Sequence, residues 1–183
     1  MLKNMFLSTF FVVFLLGVGQ AQPEDRSKGL PTSFPVPHTD DMLFYLQRSR
    51  NENTVIYDLN RKADGTVDAG NPINVYYIRF ARDGKPWPLK WIERKFAYGY
   101  SHKKLKNQGG FQIELVAYDE RKIELIPSNG SYKPYMTIAG QRALLTHIYV
   151  YADESGFWPK VRFVEIFGEN PYSGAPIYER IDF

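Results

Sequence analysis

The chain has 183 residues, 23 Lys and Arg against 20 Asp and Glu, a formal net charge of +3 and no cysteine. Thiolate-held zinc, disulfide staples, cysteine nucleophiles and a lipid-modified cysteine are therefore excluded. So balanced a charge also argues against a nucleic-acid partner.

Lys3 precedes an apolar run, Met5 to Val18, and then Gly19-Gln20-Ala21, with small residues at the spacing a signal peptidase reads. The run falls short of the ~20 residues of a spanning helix, and no basic stop-transfer cluster follows it. Residues 1–21 are expected to be a signal peptide cut after Ala21, leaving a periplasmic or secreted chain with no membrane contact. Pro23, Pro31, Pro35 and Pro37 mark 22–37 as an extended leader. Residues 38–183 then form a single domain, large enough to fold without a cofactor or metal.

From His38 the pattern is β. Met42–Ser49 and Thr54–Asn60 read as strands around the polar turn Arg50-Asn51-Glu52-Asn53, and Gly70-Asn71-Pro72 leads into Ile73–Phe80. Pro86 and Pro88, the spacing of Leu89, Ile92 and Phe96, and the stop at Gly99 predict one helix over Leu89–Tyr98, its stripe facing a sheet. Strands resume at Phe111–Tyr118, Lys122–Ile126, Tyr132–Ala139, Leu144–Tyr151, Val161–Phe167 and Ile177–Ile181. Asp119-Glu120-Arg121 reads as the turn between the first two of these. Asn129-Gly130 is a hairpin signal, because both residues tolerate positive φ. The fold class is mainly β: an antiparallel β-sandwich or barrel of about eight or nine short strands with one packed α-helix.

The sequence lacks a G-x-S-x-G elbow, an H-E-x-x-H zinc motif and a phosphate-binding P-loop. His38, His102 and His147 have no metal-ligand spacing to one another. His147 falls on a strand face with Leu145, Tyr149 and Tyr151 and reads first as a core or rim histidine. His38 with Asp40 and Asp41 supplies imidazole and carboxylates for an ion or a base, or else a polar entry loop. The loop Asn60–Asn71, with Gly65, resembles a calcium loop only in outline: Lys62 and Asn71 stand where acidic ligands belong. Asn129-Gly130-Ser131 matches a glycosylation acceptor. The most unusual stretch is Lys90–Lys106, where lysines and Arg94 interleave with aromatics. Cations suit phosphate, sulfate or carboxylate, and rings stack on sugars; the plainer reading is a solvated helix face. Trp91, Arg94, Tyr98, Tyr100, His102, Lys103 and Lys104 are the candidate ligand-binding residues. Trp87-Pro88 and Trp158-Pro159 offer a stacking platform or the cap of an open barrel end.

The run Asp41-Met42-Leu43-Phe44-Tyr45-Leu46-Gln47-Arg48-Ser49, with Asn53-Thr54-Val55-Ile56-Tyr57-Asp58-Leu59-Asn60, resembles an uncharacterised bacterial family catalogued as domain of unknown function 4833. Asn71-Pro72-Ile73, Val75-Tyr76-Tyr77 and Phe96-Ala97-Tyr98-Gly99-Tyr100 resemble it too. The resemblance implies export and no assigned activity, so it transfers no functional residue. Lipocalin-like barrels are similar in architecture only, since their early G-x-W strand is missing.

Together these features favour a non-enzymatic binding or accessory domain for an anionic or carbohydrate ligand or a cell-envelope partner. An enzyme using His38, Asp40 and Asp41, or His102, is the alternative, and a small outer-membrane barrel the second. Against the barrel, Glu179 shares a face with Ile177, Ile181 and Phe183.

Overall fold

The computed structural model describes residues 34–49, 51–106, 109–153 and 160–183. The expected signal peptide, most of the leader, Arg50 and Trp158-Pro159 lie outside the described residues.

Among the described residues eleven strands make one hydrogen-bonded sheet. They are β1 (Met42–Arg48), β2 (Asn51–Leu59), β3 (Ile73–Ile78), β4 (Pro86–Pro88), β5 (Tyr100–Lys104), β6 (Phe111–Leu115), β7 (Tyr118–Ser128), β8 (Ser131–Ile138), β9 (Gln141–Asp153), β10 (Lys160–Glu169) and β11 (Pro176–Asp182). A short helix, α1 (Trp91–Glu93), continues into a π turn, Arg94–Tyr98, between β4 and β5. The mainly β fold with one helix is the one the sequence implies. Nine strands run in the order β4-β3-β2-β1-β9-β8-β7-β6-β5 and curl into a half-barrel, while β10 and β11 branch from β9.

Alternation explains the curl. Phe111, Ile113 and Leu115 on β6 and Ile123 and Leu125 on β7 point inward, as do Val55, Tyr57 and Leu59 on β2. They meet Phe44, Ile138 and Ala143 in one core, where Phe44 and Tyr57 stack at 4.4 Å. Truncating a fully enclosed member such as Ile113 to Ala costs about 2–5 kcal/mol.

Several details depart from the sequence reading. The helix starts at Trp91, not Leu89, and its second half is π-wound. Its buried residues are Glu93 and Tyr98, five apart, while Ile92 and Phe96 are half-buried. The wider π turn rotates the inward stripe. Gly99 has an extended conformation, and its need for glycine is close approach: a Cβ there would collide with the Arg94 carbonyl. Asp119-Glu120-Arg121 is not a turn. Leu115 pairs with Tyr118 around Val116-Ala117, and the three polar residues bulge out of β7. β2 begins at Asn51, inside the expected Arg50–Asn53 turn. β4 and β5 are additional strands, and β1 pairs with β9 in parallel. Asn129 and Gly130 both have positive φ and close the β7–β8 hairpin as expected.

His147 does not share a face with Leu145. Opposite β10, Phe167 pairs with His147 but the next residue, Gly168, pairs with Leu145, so Thr146 is an extra residue in β9. Its hydroxyl donates to the Phe167 carbonyl at 3.0 Å. The bulge turns Leu145 into the main core and His147 to the outer face. There its ring lies between Tyr45 at 4.9 Å and Phe167 at 4.3 Å, nearly parallel to both. Phe34 covers the neighbouring Tyr149, and Gln47 donates to the Pro35 carbonyl, so the end of the leader lies on this face.

Burial pushes the His147 pKa down from 6.5 to about 4. Between these values the unfolded chain takes up a proton that the folded chain refuses. Stability therefore rises with pH across that window and, for this group, is flat below it. Allowing for partial exposure of the ring, the change is roughly 1–2 kcal/mol. Urea denaturation of His147→Phe, which keeps the stack, should show that slope removed; an unchanged acid limb would refute the assignment.

Candidate functional site

Among the described residues, the edge of β3 left open by the short end strand β4, Ile73–Val75, and the other end strand, β5, are not joined by a backbone ladder. Side chains bridge them. The Tyr100 hydroxyl accepts from the Ile73 N–H at 2.9 Å and faces two acceptors, Asn71 Oδ1 at 2.7 Å and the Ile73 carbonyl at 2.9 Å, which share its proton. His102 Nε2 meets the Ala69 carbonyl at 3.3 Å, and Arg94 donates to the Val75 carbonyl at 3.1 Å. Burial raises the Tyr100 phenol's pKa, against the pull of the Ile73 hydrogen bond.

Beyond this bridge the sheet ends part, leaving an open cleft of about 630 Å³. One wall is the β2–β3 loop with Arg61, Thr66 and Ala69; the others are the β5–β6 connection with Lys104 and Phe111 and the β7–β8 hairpin with Asn129 and Tyr132. Alternation on β5 puts Tyr100, His102 and Lys104 on the cleft side and Lys103 on the other. An aromatic row runs into the cleft: Tyr100 to His102 at 5.9 Å, His102 to Phe111 at 6.1 Å, and Phe111 to Tyr132 at 5.8 Å.

The two cations of the cleft differ in state. Arg61 is consumed by the scaffold: it pairs with Asp41 at 2.8 Å and donates to the Gly65 and Gly130 carbonyls, tying the β1 entrance, the β2–β3 loop and the hairpin together. Lys104 is exposed and has no acidic partner among the described residues.

The other candidates scatter. Tyr98 lies in the core, its phenol pKa raised by burial despite nearby Arg48 and Tyr77, and its carbonyl accepts the Tyr57 hydroxyl at 3.0 Å. Trp91 is 70 % exposed at the helix start, and Arg94 sits one turn on. His38 is exposed, while Asp41 belongs to Arg61. The Asn60–Asn71 loop is closed by its own bonds: the Thr66 amide and hydroxyl donate to Asp64, holding its carboxyl below the usual range, and Gly70 donates to Asp68. Among the described residues no group of three His, Asp or Glu is placed to hold an ion. On β11 the outward positions Tyr178, Arg180 and Asp182 are exposed, and Glu179 points inward to Arg121, the reverse of a lipid-facing barrel strand.

Sequence reasoning found Tyr100, His102 and Lys104 but missed Phe111 and Tyr132, which read as ordinary strand aromatics. The Asn129-Gly130 turn, which sets the hairpin wall, was the available signal.

Tyr100→Phe leaves the Ile73 N–H without its partner and should cost about 1–3 kcal/mol. Hydrogen exchange at the Ile73 amide should accelerate well beyond that of the core; unchanged protection would mean the hydroxyl does not close the sheet.

A family model described as a domain of unknown function, DUF4833, matches residues 44–180. No curated protein and no solved structure matches the chain.

Proposed function

The chain belongs to this family of unknown function, and from the site itself we propose that it is an extracytoplasmic, non-enzymatic binding domain that takes an acidic carbohydrate in the cleft. The observation that carries this reading is Lys104, an acid-free ammonium at the end of an aromatic row in an open, hydroxyl-lined cleft. The half-buried Tyr132 ring, backed by core Phe111, offers the apolar face on which pyranose C–H edges stack, and the ammonium pairs with a uronate carboxylate or a sulfate. Thr66, Ser128 and Asn129 supply donors and acceptors that suit sugar hydroxyls. The enzyme alternative has less support: Asp41 is held by Arg61 and His102 by a backbone carbonyl, and neither lines the cleft. Export rests on the Lys3–Ala21 pattern; the chain recovered from an exporting host should begin at Gln22, and a retained apolar run would refute it.

Calorimetric titration with uronate-containing and sulfated oligosaccharides, against neutral ones of equal length, tests the site. Acidic sugars should bind more tightly, and binding should weaken as salt rises from about 0.05 M to about 0.3 M. Lys104→Ala should cost about tenfold in affinity, or ~1.4 kcal/mol. Lys103→Ala, on the opposite face, should leave affinity unchanged. Equal loss from both variants, or no preference for acidic sugars, would overturn the reading.

A further inference from the structure

A second surface, distinct from the cleft, combines exposed tryptophan with unpaired positive charge. β4 is the edge strand Pro86-Trp87-Pro88, all three residues exposed. Trp87 pairs across from Tyr77, and Tyr77 packs edge-on against Tyr98 of the helix at 5.7 Å. Trp87 therefore projects on the side where the helix sits, and Trp91 opens that helix. The two indoles are 51 % and 70 % exposed, and four residues of chain keep their Cα atoms within about 14 Å. Prolines on both sides of Trp87 fix its backbone, and the Arg79 guanidinium lies 4.2 Å from its ring centroid, so one ring is held in place without being buried.

The charge around these rings is one-sided. Residues 79–98 carry six basic side chains and two acids. Both acids are occupied: Asp83 pairs with Arg79 at 2.7 Å, and buried Glu93 accepts the Lys90 N–H at 2.7 Å. Lys85, Lys90 and Lys95 are exposed and have no acidic partner among the described residues.

We propose that this Trp87–Trp91 rim docks reversibly on an anionic phospholipid surface. Indoles prefer the headgroup boundary, where the ring is shielded and the N–H stays hydrated. Lysines beside them gain from the negative surface potential of such a membrane. An acidic protein groove would also attract the lysines, but it would leave no reason for two indoles to stand solvent-exposed, one fixed on the edge strand and one at the helix start. The contact needs no spanning element, and among the described residues no helix is long and apolar enough to cross a membrane. It replaces the expectation, drawn from the sequence, that the mature chain stays clear of membranes, and it is independent of the cleft.

Co-sedimentation of the mature chain with vesicles tests it, comparing zwitterionic lipid alone with lipid containing about one-third anionic phospholipid. Binding should favour the anionic vesicles and decline with salt. Trp87→Ala with Trp91→Ala, and separately Lys85→Glu with Lys90→Glu and Lys95→Glu, should each reduce partitioning by about tenfold or more. Their thermal midpoints should stay near wild type, because all five side chains are exposed. Lys104→Ala should bind vesicles normally, which separates this surface from the carbohydrate cleft. No binding to anionic vesicles, equal binding to both kinds, or retention by soluble polyglutamate with no vesicle binding would each overturn the proposal.

Discussion

A curled sheet that does not meet its own end has to satisfy the polar edges it leaves facing each other. Here the edge of β3 that β4 leaves open faces β5, and side chains, the Tyr100 phenol at their centre, do the work of a missing ladder. Tyr100 accepts from the Ile73 amide and faces the Ile73 carbonyl, both of which a neighbouring strand would otherwise have engaged. Because side chains bridge a few points rather than a whole strand, the two edges are pinned around Ile73 and diverge beyond it. The cleft is that divergence, and the aromatic row that lines it continues from the pinning residue.

The same sheet keeps two faces distinct by placing irregularities where one strand serves several neighbours. β9 pairs with β8 at its start, with β1 farther along the same edge, and with β10 on the other edge. A regular period-2 strand would have carried Leu145 and His147 to one face; the extra Thr146 separates them, and its hydroxyl caps the carbonyl the bulge exposes. At the β8–β9 hairpin Ala139 adopts positive φ, uncommon for a residue with a Cβ, and its amide is held by Glu179, which also pairs with Arg121. β11 is thereby fastened to β7 and to the turn that feeds β9.

How much of this was legible follows from which signals are periodic. The Asn129-Gly130 hairpin was readable because its backbone conformation restricts residue choice. The helix was readable in position, since prolines and apolar spacing bracket it, but not in pitch: nothing in Arg94–Tyr98 marks a π turn, so Tyr98 was counted as a ligand aromatic although it is core. Thr146 escaped for the same reason, because one inserted residue leaves no compositional trace. β5 was missed because Ser101-His102-Lys103-Lys104 lacks the β-branched residues that announce a strand. That omission merged Lys103 and Lys104 into one basic run, whereas strand alternation sends them to opposite faces. Family membership could be recognised from the motifs of β1 to β3, yet these motifs build the core and say nothing of a ligand.

The distribution of charge supplies a last argument. The chain as a whole is nearly balanced, so a positive surface arises only if acids and cations are used differently. In the segment from Asp41 to Lys104 the acids largely serve local structure: Asp41 holds Arg61, Asp58 accepts from Thr39 and Tyr76, Asp64 and Asp68 close their loop, Asp83 holds Arg79 and Glu93 starts the helix. Each of these carboxylates has its charge screened by donors at short range. Lys85, Lys90, Lys95 and Lys104 have no such task, and an exposed lysine contributes little to stability whether paired or not. Folding therefore does not require these four ammonium groups, Lys104 in the cleft and the other three around the Trp87–Trp91 rim, and both proposed binding surfaces are built on them.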